Sequence, residues 1–334
     1  MKRLLTILIL IAVPVSATAT SLLIPMDDAQ VNHLKAYGVV YKALDADRKA
    51  EWLLNYRGGS FLLDNTREII DDCLLKGVTH NLVSSGEIAD IYRIIEVENM
   101  ERVELEKAPA IAVYSPPSSQ PWDDAVTLAL TYAEIEYDLI WDEEVLAGTL
   151  EEYDWLHSHH EDYSGQYGKF YAAFRTQLWY RADVKNNEEM AQRLGYNKVS
   201  EMKRDVALTI YDYVRRGGFF FSMCSAPETI DIALAAAGVD IVPQECDGDP
   251  VDPGAQQKLD FSNTFAFENF KLVFDPFLYR HSDIDTYPDR LVRFTEANDV
   301  FYLFDFAAKL DPVPSMLVQN HVGVVNGFMG QNTG

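Results

Sequence analysis

Cysteine is scarce in this 334-residue chain: three occur, at positions 73, 224 and 246, and no two share a Cys-x-x-Cys spacing. That excludes a disulfide framework and a four-cysteine zinc site; at most one disulfide can form, so at least one thiol is left over. Cations are few as well, 28 Lys and Arg against 52 Asp and Glu, for a net charge of -24. Such a surface repels phosphate backbones and anionic lipid headgroups over about one Debye length, which argues against nucleic acid as a partner. Glycine (18) and proline (14) show no periodic or low-complexity excess, so collagen-like and disordered classes are excluded. Past residue 15 no long apolar run remains to cross a bilayer.

What is present begins with a targeting pattern. Met1-Lys2-Arg3 is basic, residues 4–15 are apolar, and Ala17-Thr18-Ala19 has the small-x-small form of a cleavage site. The apolar run falls short of the roughly 20 residues of a membrane span. The expectation is a signal peptide over 1–19, a secreted or periplasmic protein, and no stable membrane insertion after cleavage.

Residues 20–107 read as an N-terminal α/β segment. Leu22–Pro25, Trp52–Tyr56 and Phe61–Asp64 have strand character, and the Arg57-Gly58-Gly59 turn separates the last two. Asn65-Thr66 opens a helix through Ile69, Ile70, Cys73 and Leu74 that stops at Gly77, with Cys73 on its buried face. The polar, acidic stretch Glu96–Lys107 precedes Ala108-Pro109, the expected domain boundary.

Strands and helices alternate from residue 108 to 334. Ala110–Tyr114, Tyr137–Trp141 and Tyr153–His157 are strands, Trp122–Ile135 is helical, and the spacing requires crossovers and a mostly parallel sheet. A long amphipathic helix, with Ser200 as its N-cap, ends in Arg215-Arg216-Gly217-Gly218. Phe219–Met223 follows, apolar on both faces as a central parallel strand is, then Cys224. Ser225-Ala226-Pro227-Glu228 has the form of a capping box opening the next helix. Cys224 thus sits in a strand-to-helix corner, where the helix N terminus favours the nucleophilic thiolate and its N–H groups can hold an oxyanion. The plainer alternative is a buried cysteine that finishes a core strand.

The stretch Gly217–Ala226 resembles the strand and elbow of the class I glutamine amidotransferase-like superfamily, including its trehalose-utilisation-type relatives. The resemblance covers about 108–334. It implies a flavodoxin-like α/β fold, a mostly parallel sheet with helices on both faces, with Cys224 as nucleophile and the backbone of Cys224 and Ser225 at the oxyanion position. The family carries glycines two positions either side of the cysteine and then a glutamine; here Ser222, Ala226 and Glu228 stand in that neighbourhood. The family completes its site with a late histidine and glutamate, and the late histidine here is His321, without a carboxylate two residues on. The polar end Gln331–Gly334 falls where a last strand is expected, so a continuation beyond Gly334 is expected. Leu23–Asp28, Asn32–Gly38 and Trp52–Phe61 are similar to secreted bacterial proteins often labelled asparagine synthetase B. The chain lacks that enzyme's Ser-Gly-Gly-x-Asp-Ser loop for ATP, Ser84-Ser85-Gly86-Glu87 being the nearest stretch.

His157-Ser158-His159-His160-Glu161-Asp162 follows a strand end and falls at the same carboxyl edge as Cys224. His157, His159 and Glu161 can share a metal, the imidazoles can act as general base for Cys224, or the run is a polar loop. Asp247, Asp249 and Asp252 read as a solvated acidic turn, and His281, Asp283 and Asp285 as an acidic strand edge. Phe265–Tyr287 is aromatic-rich, either core or a ligand platform. The resulting assignment is a cysteine-dependent amide hydrolase with no metal and no cofactor. Its catalytic candidates are Cys224, His159, His160, Glu161 and His321, and Ser225, Glu228 and His157 face a small-molecule or amide substrate. The alternative is a catalytically silent ligand- or partner-binding module of the cell envelope.

Overall fold

The computed structural model describes residues 19–117, 125–284, 300–302 and 315–317. The chain is mixed α/β and divides into two compact units, one formed by the chain up to Ala108 with Tyr132–Ile135, the other by most of the remainder.

The first unit is a five-stranded antiparallel sheet of β1 (Ala19–Ile24), β2 (Ala50–Leu54), β3 (Ser60–Asp64), β4 (Asn81–Ser84) and β5 (Glu101–Leu105), in the order β4-β1-β3-β2-β5. Strand alternation divides its core in two. Leu22, Ile24, Phe61 and Leu63 meet α1 (His33–Asp45) and α2 (Arg67–Lys76) on one face. On the other, Leu23, Leu53, Leu62 and Val83 meet Ile91 and Ile95 of α3 (Ser85–Val97). Thr66 caps α2 and Gly77 ends it at φ 66°, as the sequence implies, and Cys73 is fully buried between them. Burial pushes the Cys73 thiol up to about 12. The acidic stretch that precedes Ala108-Pro109 forms an edge strand: β5 pairs with β2, and its charges stay in solvent, with Glu104 taking Lys49 at 2.9 Å.

The Arg-Gly-Gly turn is committed within this unit. Arg57 makes a bidentate pair with Asp27 (2.7 and 3.2 Å), its carbonyl accepts the Met26 N–H at 3.0 Å, and a Cβ on Gly58 would lie 2.4 Å from the Met26 carbonyl oxygen. Ser84 and Glu87, for their part, form the reciprocal capping box of α3.

The second unit holds a parallel sheet of β6 (Ile111–Tyr114), β7 (Asp138–Ile140), β8 (Trp155–Ser158) and β9 (Phe219–Ser222), ordered β7-β6-β8-β9. Helix α4 (Ala125–Ala133) joins β6 to β7. Between β8 and β9 come α6 (Tyr171–Phe174), α7 (Leu178–Arg193) and α8 (Val199–Arg215), after the short α5 (Asp142–Leu146) that follows β7. α9 (Ala226–Ala235) leaves β9. Ala112, Tyr114, Ile140 and Leu156 pack against Val145 of α5, Val206 and Ile210 of α8 and Ile230 of α9. On the opposite sheet face Ile111, Val113 and His157 are buried, whereas Leu139, Phe219 and Phe221 are exposed. A separate antiparallel ribbon pairs Val300–Tyr302 with Ser315–Leu317.

Two elements differ from the sequence expectation. Among the described residues the triple-phenylalanine strand lies at the sheet edge, not its centre: only Phe220 reaches the core, and the flanking rings make the run look two-sided. Helix α8 is capped at Lys198, two residues before the expected Ser200.

Candidate functional site

The parallel sheet's strand order places a switch between β6 and β8, since one neighbouring connection leads to β7 and the other to β9; carboxyl ends at such a point form a natural crevice. A cleft of about 170 Å³ opens there, lined by Trp141, His160, Asp162, Tyr167, Asp183 and Lys203 among others. Beneath it Lys203, 4% exposed, donates to Asp142 at 2.8 and 2.9 Å and to the Tyr114 hydroxyl at 3.0 Å, and its Nζ lies 3.8 Å from the Trp141 ring centroid. Asp142 is completely buried and also accepts from Tyr114. Burial, then the Asp142 charge, pushes the Tyr114 hydroxyl well above the usual phenol range, so it stays a donor. Asp183, on α7, is raised by burial against the opposing pull of Lys203.

The histidine-rich loop forms one wall. His157 is fully buried within β8 and stacks on Phe221 at 5.8 Å between centroids; His159 lies 6.3 Å from it and 5.0 Å from the exposed His160. His157 therefore belongs to the sheet rather than to a solvent-facing substrate wall. Glu161 is spent on the turn, accepting from the Ser158 hydroxyl (3.0 Å) and the His159 N–H (2.9 Å), while the Tyr163 hydroxyl donates to Ser158 at 2.8 Å. Asp162 accepts the N–H groups of Ser164, Gln166 and Gly168 at 2.7 to 3.1 Å and faces His281 Nε2 at 3.5 Å. Burial alone would raise its carboxyl, but the His281 imidazole and these donors hold it far below the usual carboxylate range.

Cys224 follows β9 and precedes α9. It is exposed, and its φ of 54° is left-handed, a conformation that costs a residue with a Cβ on the order of 1 kcal/mol and is the backbone of a sharp elbow. The parallel register sets Ser158 opposite Ser222, so the strands bring His159 and His160 to the same edge as Cys224. The link is direct at one point: the Ser225 hydroxyl donates to the His160 carbonyl at 3.1 Å. That bond replaces the expected capping box. Ser225 does occupy the N-cap of α9, but with no side-chain cap, and Glu228 is buried with its carboxylate accepting the Ser282 hydroxyl at 2.6 Å. Glu228 is thus committed to the 282 loop and not to substrate. His321 and Asp285 lie outside the described residues, as do residues 1–18 of the expected signal peptide.

The acidic turn has an internal cation. Asp240, Asp247 and Asp249 place carboxylate oxygens within 4.8 Å of one another, and Lys198 Nζ sits among them at 2.5, 3.1 and 2.5 Å. Asp231 does similar work for the aromatic segment, taking the N–H groups of Phe265, Ala266 and Phe267 at 2.7 to 2.9 Å.

Sequence reasoning overlooked Lys203, Asp142 and Asp183. Lys203 had a readable signal, a cation set in the apolar stripe of Val199, Met202, Val206 and Ile210; the partners of that cation are remote in sequence and had none.

No family model, curated protein or solved structure matches the chain.

Proposed function

We propose that the chain is an exported cysteine-dependent hydrolase of an amide or related acyl bond, carried on a flavodoxin-like domain of the class I glutamine amidotransferase-like type. One observation carries the reading: an exposed cysteine held at positive φ in the corner between a parallel strand and a helix N terminus. A strained backbone is retained where geometry matters more than stability. In the proposed reaction the Cys224 thiolate adds to the acyl carbon, and the oxyanion faces the backbone of Cys224 and Ser225. The C–N bond breaks as His160 or His159 protonates the leaving amine. Water then adds to the thioester, releasing the carboxylic acid and returning the thiol. Glu161 enters as the group that fixes the His159 backbone.

The test is alkylation of the native protein by a thiol reagent from pH 5 to 9, read site by site. Exposed Cys224 is expected to react faster than a free cysteine peptide under the same conditions, while Cys73 and Cys246, pushed up to about 12 and about 11 by burial, stay slow. A Cys224 that labels no faster than the free peptide, or stays silent until denaturation, overturns the enzyme reading. The cleft over Lys203 favours a second reading, a silent module that binds a small ligand there; ligand-induced stabilisation unchanged in Cys224→Ala would select it.

A further inference from the structure

A second cavity, of about 200 Å³, is lined by residues of α6, α7 and the Gln244–Asp247 turn and gathers three cations in an acidic chain. Its walls hold Tyr167, Tyr171 and Tyr180, the cations Arg175, Arg181 and Lys185, and the carboxylates Glu188 and Glu245, with Lys185 paired to Glu189 at 3.4 Å. In a chain where acids outnumber bases 52 to 28, an arginine ordinarily finds a carboxylate. Here Arg181 donates to the Arg175 carbonyl (3.2 Å), and Arg175 turns to the Ala172 carbonyl and to the rings of Tyr171 and Phe277, at 5.6 and 5.8 Å. Among the described residues neither arginine forms an ion pair. Each keeps guanidinium N–H groups for a ligand, and burial keeps the Tyr180 hydroxyl protonated and able to donate. Two guanidinium forks and a phenol in one concavity match the oxygens of a phosphate group.

The rim selects the source of that phosphate. Leu178 is 83% exposed, and Trp179, Phe277 and Leu278 are each at least half exposed. The rings form two groups: Trp179 meets Phe170 and Phe174 (5.9 and 5.1 Å), and Phe277 meets Tyr171 (5.7 Å). An apolar and aromatic rim beside two arginines that no described carboxylate pairs is the composition of a surface that lies in a membrane interface, rings at headgroup depth and cations on phosphate. We propose that this face docks on an anionic phospholipid surface, with a headgroup phosphate in the Arg175–Arg181 pocket. Docking is local. The acidic remainder of the chain is screened beyond about 8 Å at physiological salt, so net charge does not decide it.

The test is co-sedimentation of the full chain with vesicles of phosphatidylcholine, with or without one third phosphatidylglycerol. Wild type is expected to bind the mixed vesicles and not the neutral ones, more weakly as salt rises. Each cation at such a surface counts for on the order of fivefold, so Arg175→Gln/Arg181→Gln should lose about thirtyfold in partitioning. Leu178→Ser/Trp179→Ser, far out on the surface, should also weaken binding while circular dichroism stays unchanged. Equal sedimentation with neutral vesicles overturns the proposal, as does binding insensitive to the arginine pair. Complete displacement by millimolar glycerol phosphate would assign the pocket to a soluble phosphate ester instead. A wild-type dimer in sedimentation equilibrium that the Leu178/Trp179 variant abolishes would assign the face to a second copy.

Discussion

Replacing Lys203 by methionine tests how the floor of the cleft is built. Methionine matches the alkyl stem, so packing against Trp141 is largely kept, while the ammonium that answers Asp142 is lost. Asp142 is 0% exposed and Lys203 4%, which leaves almost no solvent to take over the charge. Breaking a buried pair from one side costs about 3–5 kcal/mol, because the remaining carboxylate must stay ionised without a partner or take up a proton. For a unit of this size each kcal/mol moves the melting midpoint by roughly 2–4 °C, so Lys203→Met should lower it by about 6–20 °C. Lys203→Met/Asp142→Leu removes both charges and should recover at least half of the loss. The assay is thermal unfolding at pH 7 by circular dichroism. A single variant within about 1 °C of wild type, or a double variant no better than the single, would refute the account of Lys203 as the counter-charge of a buried acid.

Cys224→Gly relieves the left-handed backbone and should raise stability by about 1 kcal/mol in urea unfolding while abolishing thiol labelling at that site; Cys224→Val, β-branched, should lower it. Asp162→Asn should cost about 2 kcal/mol at pH 7, since three backbone donors lose a charged acceptor. The Asp162 carboxyl is held below its unfolded value, so its contribution is complete above about pH 4 and fades as pH falls further. Wild type and variant should therefore converge in acid, and a gap that widens below pH 4 would contradict the assignment. Lys198→Met should cost about 1–2 kcal/mol at pH 7, discounted because the lysine side chain is 23% exposed, with part of the loss regained in acid as Asp247, whose carboxyl burial holds above its usual range, takes up a proton.

Local pattern carried the sequence reading wherever one element decides its own shape. Thr66 and Gly77 bound α2, the apolar stripe of α8 lies on the core, and the corner holding Cys224 follows from a strand, a small-residue turn and a proline-opened helix. Pattern failed where two chain segments compete for one group. Ser225 and Glu228 have the spacing of a capping box, yet Ser225 turns to His160, 65 residues away, and Glu228 to Ser282, 54 away. Strand order was also out of reach: Phe219 and Phe221 read as buried because periodicity cannot tell a ring that faces a helix from one that faces solvent at an edge. Glu101–Leu105 carried no strand signal, because a charged edge strand has the composition of a loop.

The ammonium of Lys198 has a consequence for how the turn around Asp240–Asp249 behaves in different media. A counter-ion that belongs to the polypeptide is present at an unvarying local concentration, so neither dialysis nor a chelator can strip it. An arriving divalent ion would have to evict a rival that can never diffuse off. This corner of the molecule should thus keep its shape across ionic environments in which an ordinary mineral-binding loop would fill and empty.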